Sequence, residues 1–358
     1  MAQSTISKHE TLKTRWANLR AENTTVRIRE AAEQLDTSEA ELLATEIGAT
    51  VVRLKDNFDE LLQEFHTLKR VMALTRNDEI VHERKGEYAK VEIMSGHGKM
   101  GLVLGDDIDL RIFFAKWHFG FAVKTESPRG ALRSFQFFDI DGTAVHKVFT
   151  TDKSDLSAYE NLLEKYRSDD QNPALEIMPK PKRSAEKTDA EINVENFRKA
   201  WSELKDTHDF SVMMRKFEVS REQALRLADR EMAFPVPVES YQSILRRAAE
   251  IKLPVMIFVG NGGIIQIHTG EVENIAEARG WFNVLDEKFN LHIKHDKIAS
   301  AWIVRKPTVD GIVSSLEVFN KKSENVALFF GKRKPGTAED ENWRKLLSEI
   351  SGAETRAK

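Results

Sequence analysis

Apolar and polar positions along this chain fall into two spacings, and the order of those spacings recurs. Phe58-Leu61-Leu62 and Tyr241-Ile244-Leu245 share the three-and-four spacing that lines one helical face. Ser38-Glu39-Ala40-Glu41 and Ser220-Arg221-Glu222-Gln223 open helical stretches with a hydroxyl suited to capping backbone N–H groups. The first also has a capping-box carboxylate three residues on. Met1 to Arg20 is polar and helical in pattern. Short β-type runs come later. Residues 255–259, the turn Gly260-Asn261-Gly262-Gly263 and residues 264–267 predict a hairpin. Residues 132–138, 144–149 and 315–319 predict further strands. Helices followed by successive hairpins imply antiparallel sheets in an α+β fold.

The chain is written twice. Aligning Leu110-Arg111-Ile112 with Leu291-His292-Ile293 sets an offset of 181 residues. At that offset Phe121 meets Trp302, Val123 meets Val304, Gly130 meets Gly311, Phe138 meets Phe319 and Phe149 meets Phe330. Upstream the offset drifts to 182 for Ser38 and Ser220, 183 for Phe58 and Tyr241, and 184 for Val71-Met72 and Val255-Met256. So small a drift marks an internal repeat. The predicted fold class is α+β, two tandem repeats over residues 16–167 and 191–350, each of helices plus an antiparallel β-sheet. Residues 168–190, rich in Pro, Lys and Asp, predict an exposed linker. Its basic run Pro179-Lys180-Pro181-Lys182-Arg183 suits solvent better than a nucleic acid.

Composition narrows the chemistry. The 358 residues carry 54 Lys+Arg and 57 Asp+Glu, a net charge of −3 with no general pull toward nucleic acid or anionic membranes. No cysteine is present, which excludes disulfides, thiolate metal sites, iron–sulfur clusters, a Cys nucleophile and covalently attached haem. No run approaches the ~18 apolar residues of a membrane span, and no signal-peptide core opens the chain. Cytoplasmic residence without membrane insertion is expected.

Few motifs survive their structural readings. Asp139-Ile140-Asp141-Gly142-Thr143 imitates the motif of haloacid-dehalogenase-type phosphatases, but a returning strand follows it and the second repeat has Asn320-Lys321-Lys322-Ser323 there. A hairpin turn is the better account, with the phosphatase a remote alternative. The Gly260–Gly263 turn lacks the Lys-Ser/Thr of a phosphate loop. Asp106, Asp107 and Asp109 fit an exposed turn better than a cation loop. The ten histidines are scattered. His208 stands out because it occupies a polar break before Val212-Met213-Met214, where the first repeat has Val26. An imidazole in one copy only, beside Phe and Met, suits an axial ligand of a buried cofactor.

These segments together resemble the haemin-degrading, haem-utilisation family of HemS, ChuS and HmuS proteins. The similar stretches include Val71-Met72-Ala73-Leu74-Thr75-Arg76-Asn77, Ile108-Asp109-Leu110-Arg111-Ile112-Phe113-Phe114 and Leu204-Lys205-Asp206-Thr207-His208-Asp209-Phe210. Phe258-Val259-Gly260-Asn261, Trp281-Phe282-Asn283-Val284-Leu285-Asp286, Phe289-Asn290-Leu291-His292 and Trp302-Ile303-Val304-Arg305-Lys306-Pro307-Thr308-Val309-Asp310-Gly311 continue it. The resemblance runs from about Trp16 to Arg333.

The resemblance implies sheets stacked centrally and one haem b, at once ligand and substrate. It makes His208 the proximal iron ligand, Arg111 the residue over the opposite haem face, and Phe113 a porphyrin neighbour, with Arg221 and Lys306 near the propionates. An Arg opposite the His donates hydrogen bonds without competing for the metal. His82, His292 and His295 rank below His208 as auxiliary ligands. Leu328 and Phe330 stand where relatives often carry Gln and Tyr, and Ser211 where they often have a second Phe. Two readings follow: a haem-degrading enzyme fed by an external electron donor with dioxygen or peroxide, and a carrier passing haem from an importer to a separate haem oxygenase. Oligomeric state, a homodimer included, is not legible.

Overall fold

The structure, a computed structural model, describes residues 2–96, 98–125, 130–180, 186–334 and 336–351. Pro181, Lys182 and Arg183 of the basic run lie outside the described residues. The chain forms two compact units. One comprises Met1–Arg76, Glu83–Pro181 and Asn261–Gln266; the other comprises Asn77–His82, Lys182–Gly260 and Ile267–Lys358.

The first half of the chain runs α1 (Ala2–Glu22), α2 (Ile28–Gln34), α3 (Glu39–Ala44), β1 (Val51–Arg53), α4 (Phe58–Gln63), β2 (Lys69–Arg76) and β3 (Ile80–Glu87). It continues through β4 (Glu92–Met94), β5 (Met100–Leu104), β6 (Asp109–Phe113), β7 (Phe119–Thr125), β8 (Leu132–Phe138), β9 (Ala144–Ser154) and α5 (Leu156–Tyr166). In the first unit β1, β7, β8, β9 and β2 pair antiparallel in that order, and β4, β5 and β6 form an antiparallel meander. β8 is buried on both faces. Phe135 and Phe137 pack with Phe58, Leu62 and Tyr159, whereas Phe138 packs with Ala40, Leu43 and Phe121. Burial on both faces explains why this antiparallel strand reads as continuous hydrophobicity rather than alternation.

The predicted caps form. Ser38 accepts from the Glu41 N–H at 3.1 Å while Glu41 Oε2 accepts from the Ser38 N–H at 3.0 Å, a complete capping box on α3. The Asp139–Thr143 stretch is the β8–β9 hairpin turn, closed by Asp139 N–H to Thr143 O at 2.9 Å. Asp139 takes the Ile140 N–H at 2.7 Å and Asp141 takes the Thr143 N–H at 3.0 Å. Gly142 has φ +73°, and a Cβ there would lie 2.2 Å from Ser38 Oγ. The turn serves the backbone, and the strands it joins lie in an antiparallel run, β7-β8-β9-β2, rather than the parallel sheet a phosphatase centre of that type needs.

The second half runs α6 (Val194–Ser202), α7 (Asp209–Phe217), α8 (Arg221–Leu227), β10 (Ala233–Val236), α9 (Ser240–Glu250), β11 (Val255–Gly260) and β12 (Ile264–Gly270). Then come β13 (Ile275–Ala278), β14 (Trp281–Leu285), β15 (Phe289–Lys294), β16 (Ile298–Thr308), β17 (Gly311–Asn320), β18 (Asn325–Gly331) and α10 (Glu341–Ser351). In the second unit β10, β16, β17, β18 and β11 pair antiparallel in that order, with β13, β14 and β15 as the meander. Strand for strand this is the topology of the first unit. Its β17 is likewise buried on both faces, Leu316 and Val318 against the α9 and α10 side and Phe319 against α6, α7 and α8.

The interrepeat segment is less free than its composition suggests. Gln171 receives the Arg53 N–H at 3.0 Å and donates to the Arg53 carbonyl at 2.9 Å, as a strand partner would. Leu175 and Ile177 pack against the Phe138 cluster. Among the described residues no helix is long and apolar enough to cross a membrane.

Candidate functional site

His208 sits at the N-terminus of α7, on the turn that follows α6. Hydrogen bonds hold that turn from both sides: the Val309 N–H reaches the Lys205 carbonyl at 2.9 Å, and Asp209 Oδ2 accepts from the Asp206 N–H at 3.0 Å. The His208 side chain is 93% exposed, and its Nδ1 lies 2.5 Å from Asp206 Oδ1. The same carboxylate oxygen accepts from the His208 N–H at 2.8 Å. Those hydrogen bonds from His208 hold the Asp206 carboxyl below its usual range. Nε2 has no partner among the described residues.

Two residues on, Phe210 is buried against Trp201, with ring centroids 4.7 Å apart. Two cations stand over its ring. Lys306 Nζ is 4.6 Å and Arg221 Cζ 5.2 Å from the centroid. Arg221 opens α8 behind the Ser220 cap, and Lys306 projects from β16. Both converge on Glu317 of β17. Arg221 bonds it in a fork, Nε–Oε2 at 2.6 Å and Nη2–Oε1 at 2.8 Å, and Lys306 Nζ meets Oε1 at 2.7 Å. Ser315 Oγ adds a donor at 3.2 Å.

Glu317 is fully buried and Lys306 is 3% exposed. Burial alone would raise the Glu317 carboxyl, but Arg221 and Lys306 together hold it down, to about 2. Burial pushes the Lys306 ammonium down to about 8, only partly opposed by Glu317, with Arg221 adding to the fall. At neutral pH two cations share one anion. One positive charge is left in excess beside Phe210, facing partly exposed space at Arg221.

In the first unit Arg111 lies on β6, ion-paired to Asp109 two residues back on the same strand face. It also donates to the Leu110 carbonyl at 3.2 Å and keeps 30% of its side chain exposed. Asp109 is raised by burial, which outweighs Arg111. Asp107 is engaged with Arg84 at 3.1 Å, so two of the three carboxylates, Asp107 and Asp109, pair with arginines. Phe113 ends β6, half-buried. The first unit also has a buried carboxylate between two cations: Glu39 pairs with Arg76, and with Lys147 at 3.1 Å. Glu39 occupies the repeat position of Arg221, so the polarity of helix and strand is exchanged between the copies.

The three auxiliary candidates, His82, His292 and His295, contact neighbouring side chains of the second unit. His82 is buried with its ring centroid 5.0 Å from that of Phe289. His292 Nδ1 meets Asn283 Oδ1 at 2.7 Å. His295 Nδ1 lies 3.1 Å from both Tyr241 Oη and Gln242 Nε2. Leu328 and Phe330 pair across β18–β11 with Phe258 and Met256 and supply no polar group. Ser211 is exposed on α7.

The haemin-degrading HemS/ChuX domain matches this chain at residues 36–166 and again at residues 218–350. The chain belongs to that family. Within it, the hemin transport protein HmuS of Yersinia pestis is 35% identical over 324 residues, 90% of this chain and 92% of HmuS. The crystal structure of holo-PhuS, a heme-binding protein from Pseudomonas aeruginosa, superposes with a TM-score of 0.93 at 44% identity, covering 96% of this chain and 99% of PhuS. That of ChuS, an E. coli heme oxygenase, gives 0.84 at 31% identity, covering 95% and 99%. The two matches of the HemS/ChuX domain fall one in each repeat.

Sequence reading brought His208, Arg221 and Lys306 forward but missed Glu317 and Asp206. Glu317 had a visible signal, a lone charge inside the apolar run Leu316-Glu317-Val318-Phe319. Asp206, two residues before an imidazole, has no spacing or pattern of its own in the sequence that marks it as a partner of His208.

Proposed function

We propose that this HemS/ChuX-family chain binds haem b in the cytoplasm and degrades it, releasing iron with electrons from an external donor and dioxygen or peroxide. The carrying observation is that an accessible imidazole, His208, stands two residues from a ring, Phe210, capped by two cations with one charge in excess. Imidazole is a common axial ligand of haem iron. Paired Arg and Lys over an aromatic surface suit propionates at the edge of an apolar porphyrin. The donor set therefore fits: His208 Nε2 for iron, Arg221 and Lys306 for carboxylates. The resemblance gives Arg111 the opposite haem face and Phe113 the porphyrin edge, and Arg111 keeps Nε and Nη2 as donors beyond its bond to Asp109. Bound haem supplies the redox chemistry; the protein's share is orientation, donation from Arg111 and charge at the carboxylates.

The 93% exposure of His208 favours a second reading, a carrier that releases haem to a separate oxygenase. Incubating the ferric complex with ascorbate, with and without catalase, separates the two. Loss of the Soret band with chelatable iron released supports degradation. An unchanged spectrum, with transfer to an added haem oxygenase, supports delivery.

A further inference from the structure

The Asp206–His208 pair is more than a turn contact. Asp206 Oδ1 reaches Nδ1 at 2.5 Å and the His208 backbone N–H at 2.8 Å, so one oxygen fixes both the ring and the main chain that carries it. Asp206 is itself anchored, its N–H bonded to Asp209 Oδ2 at 3.0 Å, while the Lys205 carbonyl holds Val309 at 2.9 Å. A carboxylate can only accept here, so the Nδ1 proton lies toward it and, in the neutral imidazole that binds a metal, the lone pair is at Nε2. The acceptor carries a full negative charge, unlike the backbone carbonyl or water that often serves a ligating histidine.

We propose that Asp206 is the positioning residue for His208 as an iron ligand, setting its tautomer and making the imidazole a stronger electron donor. The proposal rests on the haem-binding reading and deepens it. A charge-assisted bond at Nδ1 increases ligand basicity. It favours ferric over ferrous iron, so the chain holds haem in its oxidised form until a reductant strong enough to overcome that preference arrives. No bond is made or broken by Asp206 itself.

The test uses the full chain loaded with haemin, in wild type, Asp206→Asn, Asp206→Ala and His208→Ala. Asn keeps an acceptor for the His208 backbone N–H and so preserves the turn; circular dichroism verifies folding. Three quantities are read: haemin affinity, the reduction potential, and the iron–histidine stretching band of the ferrous complex by resonance Raman. Asp206→Asn is expected to move that band to lower frequency, raise the potential and weaken affinity by roughly 10–100-fold. Asp206→Ala should do at least as much. Loss of the band in His208→Ala with no movement in Asp206→Asn would assign Asp206 to the turn alone and overturn the proposal. A band and affinity unchanged in His208→Ala would overturn the ligand assignment itself, and this inference with it.

Discussion

Gln136 and Glu317 occupy the same place in the two repeats, 181 residues apart, and differ by one charge. Gln136 donates to Ser134 Oγ at 3.0 Å; Glu317 accepts from Ser315 Oγ at 3.2 Å and from Arg221 and Lys306 besides. Where Lys306 stands, the first repeat has Thr125. The duplicated architecture thus tolerates either a neutral amide or a charged cluster at this strand position, and only the second repeat invests it with cations over Phe210.

Replacing Glu317 alone should be costly. Glu317→Gln leaves Lys306 and Arg221 without their shared anion, and breaking a buried pair from one side destabilises by about 3–5 kcal/mol. The double variant Glu317→Gln/Lys306→Thr copies the first repeat at these two strand positions, leaves only the partly exposed Arg221 charged, and should recover part of that loss. Urea unfolding of both variants checks it, and equal destabilisation of single and double would refute the cluster's energetic role.

Binding should depend on pH through Lys306. Its ammonium titrates at about 8 rather than the ordinary 10.5, so its charge is present below 8 and lost above. Affinity for a porphyrin bearing carboxylates is expected to fall about tenfold as pH rises through 8, the worth of one charge-assisted hydrogen bond. Lys306→Arg should abolish the inflection. Stability moves the other way. Between about 8 and 10.5 the unfolded chain keeps a proton that the folded chain has released, so this group's contribution to stability rises with pH. Haemin titrations and denaturant midpoints from pH 7 to 10 should show opposite slopes.

Gly142→Ala probes the hairpin that imitates a phosphatase motif. With φ +73° and a Cβ 2.2 Å from Ser38 Oγ, the new methyl strains the turn and disturbs the cap of α3. A loss of about 1–3 kcal/mol is expected. Ser38→Gly costs only a few tenths as a cap change. Combined with Gly142→Ala it should relieve the clash, giving a double-mutant coupling visible in thermal or urea unfolding.

Arg111→Ala should leave haemin affinity within a few-fold of wild type but alter the spectra of added iron ligands and slow porphyrin loss by about a hundredfold, if a donor is withdrawn from the reacting face. Asp109→Asn, which frees Arg111 without removing it, should affect that rate far less. Stopped-flow absorbance at the Soret band distinguishes the two variants.

The elements were legible because local chemistry announced them: Ser38 and Ser220 cap helices, and Gly142 and Gly262 turn hairpins with positive φ. The repeat was legible because apolar and glycine positions kept their register. The charged cluster was not, since its members come from α8, β16 and β17, with Arg221 and Glu317 96 positions apart. A lone Glu in an apolar strand tells that a partner exists, not which. His208 is marked locally by its polar break and its absence from the first repeat, whereas Arg111 comes forward by family resemblance alone. Arg111 considered alone reads as an ordinary strand residue, and the Asp106-Asp107-Asp109 pattern reads as an exposed turn although Asp109 opens β6.

Asn77–His82 belongs with the second unit and Asn261–Gln266 with the first, so neither unit is a continuous stretch of chain. A nascent polypeptide cannot finish its first unit until roughly the 266th residue has left the ribosome, however early the rest of that unit collapses. Expressing either repeat alone would strand its partner's short segment.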